Sequence, residues 1–522
     1  MADSRTRNTA RNIAAGIVNR IVSIIFPFLN RTVILWVMGA EYTGLSGLFS
    51  AILEVLSLAE LGFNTAIVYC MYKPMAEGDR EKVRCYLTLI RKIYAIVGAV
   101  ILAAGLCVTP FLTRLIHGTY PETINLYALY LLYLLNTVVS YFLFAYKETV
   151  LLADQRQDLT SNIRTAVNVI RYIAQFAALL ITRNFYVYVL LLVAGTVVSN
   201  VLIQRCALKR YPDLICRKKQ RLQMPAELKR QVGALLLGRM SDKFRNSFDS
   251  IIVSTLFGLV ATTVYGNYFY IYSAVYGIML AICNAMSGSI GNSIVTESVR
   301  KNYDDMRNFQ FLFAWISCMC TACMAAAYQP FMRLWAGEEL LLGEGDMLLF
   351  CLYFYLINMC NIRNQYISGT GIWWKLKGSY LIEAVLNLLL NIVLGKIWGV
   401  TGILLATVFT IFAFNYVSRT HVLFQSYFIG MSEGRFSLDQ AEYTAATLVS
   451  VLAAYWICGQ LTLRGIVQVA ACVCISAAVS FALFGAAFVR TERFGYAKRI
   501  FGKAFTCRKG ESGTTTKRGE KT

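Results

Sequence analysis

Apolar segments long enough to cross a lipid bilayer recur from one end of this chain to the other. The hydrocarbon core of a bilayer is about 30 Å thick, and about 20 apolar residues in an α-helix span it. Hydrophobic residues make up 57% of the 522 residues, and charged residues only 15%. Backbone N–H and C=O groups find no water in hydrocarbon, so such segments must be helical. The sequence therefore predicts an all-α protein that crosses the membrane many times.

We divide these apolar segments into fourteen predicted transmembrane helices. The predicted spans cover residues 12–38, 44–72, 84–108, 123–146, 160–182, 185–207, 226–256, 261–287, 306–328, 347–369, 376–395, 401–421, 441–458 and 465–489. The loops on one side of these spans, together with both ends of the chain, hold roughly 38 of the 50 Lys and Arg residues, and the other loops about five. Because cytoplasmic loops carry the excess of Lys and Arg, we predict that both termini are cytoplasmic. The same distribution explains the net charge of +21 without a nucleic-acid partner.

The chain resembles itself when it is shifted by 219 residues without gaps. The shift places Arg20 on Arg239 and retains the apolar spacing over roughly 75 residues. Further matched pairs are Gly39 with Gly258, Gly47 with Gly266, Asn30 with Asp249, Ala66 with Ala285 and Lys82 with Lys301. Internal repeats of this kind are typical of transporters. Two like-oriented halves, each with a cation in its first helix, indicate a transporter for an anionic substrate.

The sequence carries no motif of an enzyme or an ATPase, and we predict no catalytic residue, cofactor or metal site. It contains no G-x-x-x-x-G-K-[ST] loop and no H-E-x-x-H pair. Cys318, Cys320 and Cys323 share one apolar helix without a His or carboxylate nearby, so we interpret them as buried thiols. The loops on the predicted outer side are too short for a catalytic domain, which argues against a glycan polymerase or ligase.

Charges inside the predicted spans are the strongest functional signal, because a charge at the bilayer centre costs about 2.5–3.5 kcal/mol. The in-span cations are Arg20, Arg31, Arg171, Arg239, Lys243, Arg245 and Arg363. Arg20 and Arg31 are 11 residues apart, which places both on one face of the first helix. Only about five carboxylates share the spans with these seven cations, so an anionic ligand would complete the charge balance.

Internal pairing of these charges is the alternative to an anionic ligand. Asp242 lies at helical spacing from Arg239 and Arg245. A second example is Glu383 with Arg363, which lie on different predicted helices. If a ligand is bound instead, our candidate substrate-binding residues are Arg20, Arg31, Arg239, Lys243 and Arg363. Our candidate carboxylates for coupling to a Na⁺ or H⁺ gradient are Asp249, Glu54 and Glu383.

Two stretches of the chain resemble a known transporter family. The first is RNIAAGIVNRIVSIIFPFLNRTVILWVMGAEYTGLSGLFSAILEVLSLAELGF, residues 11–63, and the second is SDKFRNSFDSIIVSTLFGLVATTVYGNYFYIYSA, residues 241–274. Both resemble the Wzx-type polysaccharide-repeat-unit flippases of bacteria, a branch of the multidrug/oligosaccharidyl-lipid/polysaccharide exporter superfamily. The resemblance extends to about Val489.

The resemblance implies two pseudo-symmetric six-helix lobes, related by an axis along the membrane normal, and two accessory C-terminal helices. In this chain the lobes would be residues 1–208 and 226–425, joined by a cytoplasmic linker, 209–225. The accessory helices would lie in 426–489. We predict that the basic cytoplasmic tail, 490–522, is disordered because it is polar and low in complexity.

The resemblance also implies a function in surface polysaccharide biosynthesis at the bacterial plasma membrane. A central cationic cavity would bind the diphosphate-sugar head of a polyprenyl-linked oligosaccharide, whose lipid tail stays in the bilayer. The lobes would alternate between inward-open and outward-open states, and polysaccharide polymerase machinery is a candidate partner. By resemblance to lipid II flippases, Arg20 and Arg31 would face the diphosphate. A sodium site would involve Asp249, Asn387, Asn391 and Asn415.

The alternative within the same superfamily is a multidrug/cation antiporter. Such a protein would favour carboxylates in the cavity of the first lobe, whereas arginines dominate the first helix of this chain. Without a nucleotide-binding loop, either transporter would draw on an ion gradient, the membrane potential or the consumption of its product.

Overall fold

A computed structural model of the chain describes residues 22–57, 63–143, 145–214 and 226–499. Over these residues the protein is helical and contains no β-strand, so the all-α prediction is confirmed there. Arg20, most of the predicted linker and residues 500–522 lie outside the described residues. The side chains of Arg239 and Asp242 also lie outside them.

The described helices follow one another with short connections. In chain order they are α1 (Val22–Val37), α2 (Ala40–Leu56), α3 (Phe63–Glu77), α4 (Arg80–Val108), α5 (Leu126–Phe142), α6 (Glu148–Ala153), α7 (Gln157–Thr182), α8 (Phe185–Arg210), α9 (Ala226–Thr296), α10 (Val299–Ala336), α11 (Glu344–Thr370), α12 (Lys377–Thr410), α13 (Arg419–Ser426), α14 (Glu433–Gly459) and α15 (Gly465–Phe488). A π-helical segment, Ile411–Ser418, connects α12 to α13.

Side chains at the starts of several helices explain why those helices begin where they do. Asp79 accepts a hydrogen bond from the backbone N–H of Lys82 at the start of α4, at 3.0 Å. Asn125 does the same for Ala128 at the start of α5, at 3.1 Å. Such caps satisfy backbone donors that the first turn of a helix leaves without partners.

Among the described residues, nine helical segments are long and apolar enough to cross a membrane, or ten if the bent pair Leu126–Phe142 and Ala145–Ala153 is one span. Two of them, Lys243–Thr296 and Ile372–Ser426, run over 54 and 55 residues. At 1.5 Å per residue each is about 80 Å long, which is more than twice the thickness of the hydrocarbon core. Each segment is therefore long enough for two spans. The total of fourteen and the cytoplasmic termini stay predictions.

Two glycines that the 219-residue shift superimposes adopt the same unusual backbone conformation. Gly39, between α1 and α2, has φ 99° and ψ 177°. Gly258, which interrupts α9, has φ 84° and ψ −173°. Residues with a side chain rarely adopt this region, so only glycine fits both breaks without strain. The matched breaks support the internal repeat.

The chain divides into two compact units. The first comprises Met1–Tyr270, Glu338–Leu342 and Trp373–Thr407, and the second comprises Ile271–Gly337, Gly343–Ile372 and Val408–Thr522. These boundaries differ from those of the predicted lobes, because the first unit also includes part of α9 and most of α12. The six-helix lobes therefore stay a prediction from the sequence.

The core of the first unit is apolar and rich in aromatic rings. Side chains of α2, α4, α5 and α8 contribute most of it. Phe49 packs edge-on against Tyr130 and Tyr133, with ring centroids 5.4 and 5.6 Å apart. Such pairs add about 0.5–1.5 kcal/mol beyond the burial of their area. This packing holds α2 and α5 in place around the polar residues that the next section describes.

In the second unit, one carboxylate holds two arginines. Asp439 of α14 accepts from Arg307 of α10 at 2.7 Å and pairs with Arg493 at 2.8 Å. Arg493 also donates to the hydroxyl of Tyr443. Residues 492–499 form a helix, in which Ala497 is fully buried. The disorder predicted for 490–522 is therefore wrong for these first residues, because ion pairing and apolar packing order them.

Candidate functional site

The first unit contains a polar cavity of about 260 Å³ beside α1. Side chains of α1, α2, α5, α7, α8 and α9 surround it. The lining residues are Pro27, Asn30, Arg31, Ile34, Thr43, Ser46, Ser50, Tyr133, Arg171, Tyr172, Gln175, Tyr188, Leu192 and Tyr270. Two arginines and several hydroxyl and amide groups line this cavity, and no carboxylate is among the lining residues.

Arg31 is the lining residue that the sequence placed in the substrate site. Its Nε donates to Oδ1 of Asn267 at 2.6 Å, and its Nη2 lies 3.4 Å from the backbone oxygen of Thr263. A Cβ atom at Gly266 would lie 2.8 Å from Nη2, so the absence of a side chain at this position makes room for the guanidinium. Among the described residues, no carboxylate lies within 4 Å of Arg31. Neutral groups therefore orient this cation and leave its charge uncompensated.

Arg171, on α7, is the second cation of the cavity. Its guanidinium carbon lies 4.4 Å from the ring centroid of Tyr172. Its alkyl chain fits against α8, where a Cβ at Gly195 would lie 2.6 Å from Cδ of Arg171. Its buried Nε has no hydrogen-bond partner within the described part of the chain. Sequence reasoning recognised Arg171 as an in-span cation but did not place it in the site. The signal that finds it is the lack of a partner, which only the fold reveals.

Hydrogen bonds hold the other polar walls of the cavity. Nδ2 of Asn30 donates to the hydroxyl of Tyr188 at 2.8 Å, and Nε2 of Gln175 donates to the backbone oxygen of Tyr188 at 3.0 Å. The hydroxyl of Tyr133 donates to Ser46 at 3.0 Å. These bonds join α1 and α7 to α8, and α5 to α2. A ligand would therefore meet a preorganised surface.

A second polar cluster in the first unit surrounds Asp249 of α9. Its carboxylate accepts from Nδ2 of Asn391 at 2.6 Å, from the hydroxyl of Tyr265 at 3.0 Å and from that of Thr407 at 3.1 Å. Asn387 donates to Thr407 at 3.3 Å and accepts from Asn391 at 3.3 Å. The fold thus brings Asp249, Asn387 and Asn391 together, three of the residues that the sequence proposed for ion coupling.

Other predicted site residues are paired within the protein. Glu383 of α12 accepts from Arg245 of α9 at 2.7 Å, and both side chains are at least 96% buried. Lys243 pairs with Glu54 of α2, which also accepts from Ser247 at 3.1 Å. Internal pairing therefore occurs for some of the in-span charges, and the partner of Glu383 is Arg245.

Arg363 of α11 lies in the second unit and is 2% exposed. It donates to the backbone oxygen of Tyr416 at 2.5 Å, and its guanidinium carbon lies 4.7 Å from the centroid of the Tyr416 ring. Tyr416 belongs to the π-helical segment, whose backbone geometry differs from that of an α-helix. The contacts of Arg363 that the structure describes are thus to the protein itself. Its role in substrate binding, like that of Lys243, remains a prediction.

Searches of family models and of curated proteins found no match to the sequence. Solved structures do resemble the fold. The lipid II flippase MurJ in an inward closed conformation has a TM-score of 0.66 and 14% identity, and the match covers 91% of this chain and 98% of MurJ. An inward-facing multidrug resistance MATE family transporter of the MOP superfamily has a TM-score of 0.57 and 14% identity, over 82% of this chain and 98% of that one.

A mutant of the Vibrio cholerae MATE transporter VcmN gives a TM-score of 0.52 and 15% identity, over 82% of this chain and 99% of that one. These matches span almost the whole length of each solved structure, so the likeness concerns the architecture as a whole. Together with the long apolar helices, they make the chain a multi-pass membrane protein. The chain thus has a fold similar to that of the lipid II flippase MurJ and of MATE family transporters.

Proposed function

We propose that the protein is a flippase of the plasma membrane that moves a polyprenyl-diphosphate-linked oligosaccharide outward by alternating access, for the synthesis of a surface polysaccharide. The likeness to the lipid II flippase MurJ supports this class of substrate. The stretches around Arg31 and Asp249 that resemble Wzx-type flippases support the oligosaccharide. The polymerase machinery that consumes the product would be a partner on the outer side.

The observation that carries the proposal is the charge of the cavity beside α1. Arg31 and Arg171 line it, and none of its lining residues is acidic. Guanidinium groups bind phosphate oxygens through two parallel hydrogen bonds, which suits a diphosphate. In this proposal Arg20, Arg239, Lys243 and Arg363 remain further candidates for contact with the anionic head, as the repeat and the resemblance suggest.

The cluster around Asp249 is our candidate for ion coupling. Oxygen ligands suit hard cations such as Na⁺, and the cluster offers a carboxylate, two amides and two hydroxyls. Oδ1 of Asn391 is buried without a hydrogen-bond partner among the described residues. A cation beside Asp249 would use that oxygen. Glu54 and Glu383 are weaker candidates, because each already has a cationic partner.

The MATE matches favour a second candidate, a multidrug/cation antiporter. A lipophilic cation needs carboxylate or aromatic walls, and the cavity offers tyrosines but no carboxylate. Binding of a fluorescent lipophilic cation and of a diphosphate lipid to the purified protein separates the two functions. Tight binding of the cation alone would favour the antiporter.

Replacement of Arg31 tests the flippase directly. Loss of a charged hydrogen bond costs about 1.5–3 kcal/mol, so Arg31→Ala should bind and flip a diphosphate-linked sugar about tenfold or more weakly in proteoliposomes. Arg31→Lys should also be impaired, because an ammonium lacks the planar fork. Arg183→Ala, at the exposed end of α7, is the matched control. Full flipping by Arg31→Ala at equal protein amount would remove Arg31 from the site.

A further inference from the structure

The wall of the cavity formed by α7 and the adjoining part of α1 has three polar atoms without partners. They are Nε of Arg171, Oε1 of Gln175 and Oδ1 of Asn30, each buried and without a hydrogen bond within the described residues. Gln175 is 1% exposed and Asn30 is 6% exposed, and all three residues line the same cavity. A buried polar atom without a partner destabilises the protein, so three beside one cavity point to a ligand.

The hydrogen bond from Gln175 to Tyr188 determines which end of the Gln175 amide has no partner among the described residues. Its other end lies 3.0 Å from the backbone oxygen of Tyr188, and a carbonyl oxygen only accepts. The NH₂ group must therefore face Tyr188, and the unpartnered end is the acceptor oxygen. Asn30 follows the same arrangement, because its NH₂ group donates to the hydroxyl of Tyr188. The cavity thus has two amide acceptors in need of donors.

An ionised diphosphate has no hydrogen to donate to these amide oxygens, whereas a sugar hydroxyl has one. Arg171 has the opposite character, because a guanidinium only donates and suits a phosphate oxygen. Its stacking on Tyr172 holds the planar group without using its N–H donors. The ring of Tyr172 itself stacks on Phe26, with centroids 5.8 Å apart. Donor and acceptors on one wall match a phosphate joined to a hydroxylated ring.

The size of the cavity limits what reaches this wall. At about 260 Å³ it is smaller than the roughly 300–1,000 Å³ of pockets that hold drug-sized ligands. The cavity therefore has room for the polar junction of a lipid-linked glycan, and not for a long oligosaccharide.

We propose that Arg171, Gln175 and Asn30 form a subsite for the first sugar and the phosphate that carries it. Arg171 donates to an oxygen of the sugar-bearing phosphate, while Gln175 and Asn30 accept hydrogen bonds from hydroxyls of the sugar. This rests on the proposed function, since it assigns parts of the same ligand to one wall of the site. The subsite makes the protein sensitive to the sugar next to the diphosphate.

Calorimetric titration of the full chain in lipid nanodiscs tests the subsite with three probes. They are farnesyl diphosphate, farnesyl diphosphate carrying one hexose, and the same compound with every hexose hydroxyl methylated. The hexose should raise the affinity about threefold to tenfold, as expected for one or two neutral hydrogen bonds. Methylation should abolish this gain in the unaltered protein, so this arm does not depend on any variant folding.

Substitutions test which residues produce the gain in affinity from the hexose. Gln175→Met should lose the gain from the hexose, measured as the ratio of its affinities for the two unmethylated probes. Arg171→Gln should bind all three probes about tenfold more weakly, and Arg183→Gln, at the exposed end of α7, serves as its control. A hexose gain that survives both methylation and Gln175→Met would overturn the subsite.

Two other outcomes distinguish an error in the proposed function from an error in the subsite alone. Failure of farnesyl diphosphate to bind, or indifference to Arg31→Ala, would contradict the proposed function itself. If Arg171→Gln bound all three probes as tightly as the unaltered protein does, the assignment of Arg171 to phosphate would be wrong.

Discussion

The cavity beside α1 and the cluster around Asp249 differ in how their buried polar and charged groups are paired. In the cavity, Arg31 and Arg171 have no carboxylate partner among the described residues. In the cluster, the carboxylate of Asp249 accepts three hydrogen bonds, and the neighbouring Arg245 pairs with Glu383. The two regions are related by the internal repeat, which superimposes Asn30 on Asp249.

In the proposed function, this difference gives the two halves of the repeat different tasks. At both equivalent positions a buried polar residue binds a tyrosine hydroxyl, Tyr188 for Asn30 and Tyr265 for Asp249. The neutral amide leaves the net charge beside α1 positive, whereas the carboxylate makes its own surroundings negative. One half of the repeat is thereby suited to an anionic head group and the other to a cation.

The ion pair between Arg245 and Glu383 should show the largest effect on stability. Removal of one partner from a buried pair costs about 3–5 kcal/mol, since the remaining charge stays buried without that ion pair. We therefore expect Glu383→Gln to unfold much more readily in a denaturant titration of the purified protein. The double variant Arg245→Met/Glu383→Leu should lose less than either single variant. If the losses of stability in the two single variants added up in the double variant, the two residues would act independently. The contrast between a paired cluster and a cavity with unpaired cations would then fail.

Asp249→Asn should remove the response to sodium with a smaller effect on the fold. A ligand present at 100 times its Kd stabilises a protein by about 2.7 kcal/mol. We expect Na⁺, and not choline, to raise the unfolding temperature of the unaltered protein, and Asp249→Asn to abolish this rise. Glu54→Gln is the comparison, because Glu54 lies on α2 and already pairs with Lys243. Loss of the sodium response in Glu54→Gln alone would transfer the ion site to Glu54.

Substitution of Gly39 or Gly258, the two glycines that the repeat superimposes, should give the smallest loss of stability, and the two losses should differ. A Cβ at Gly258 would lie 2.6 Å from the backbone oxygen of His117, whereas a Cβ at Gly39 meets nothing within 4 Å. Both Ala variants carry the strain of a positive φ. Gly258→Ala should lose about 1–3 kcal/mol more than Gly39→Ala because of the additional overpacking. Equal losses of stability in the same denaturant titration would mean that the backbone at His117 moves away from the added Cβ without further cost.

The apolar pattern of the sequence was sufficient to predict an all-helical membrane protein, whereas the transporter fold was predicted from the family resemblance. Arg31, which the sequence placed in the substrate site, lines a polar cavity, and its contact with a substrate stays a prediction. Helical periodicity indicates which side chains share a face, because it depends only on local geometry. It does not indicate which helix lies opposite. For that reason the sequence offered Arg363 as a partner of Glu383, whereas the structure pairs Glu383 with Arg245.

Arg171 was missed as a site residue for the same reason. Its selection requires knowledge that Gly195 and Tyr172 hold it in place and that no carboxylate of the described residues lines the same cavity. The grouping of Asp249 with Asn391 came from the family resemblance, since the two residues are 142 positions apart. Contacts between such distant residues depend on the packing of whole helices.

The shared carboxylate of Asp439 has a practical consequence for work with this protein. A chain shortened at Val489 would lose Arg493 and leave Asp439 with Arg307 alone. The helix of residues 492–499, with its buried Ala497, would be lost as well. A purification tag or fluorescent reporter is therefore better fused beyond residue 499, where it leaves the contacts of α14 intact.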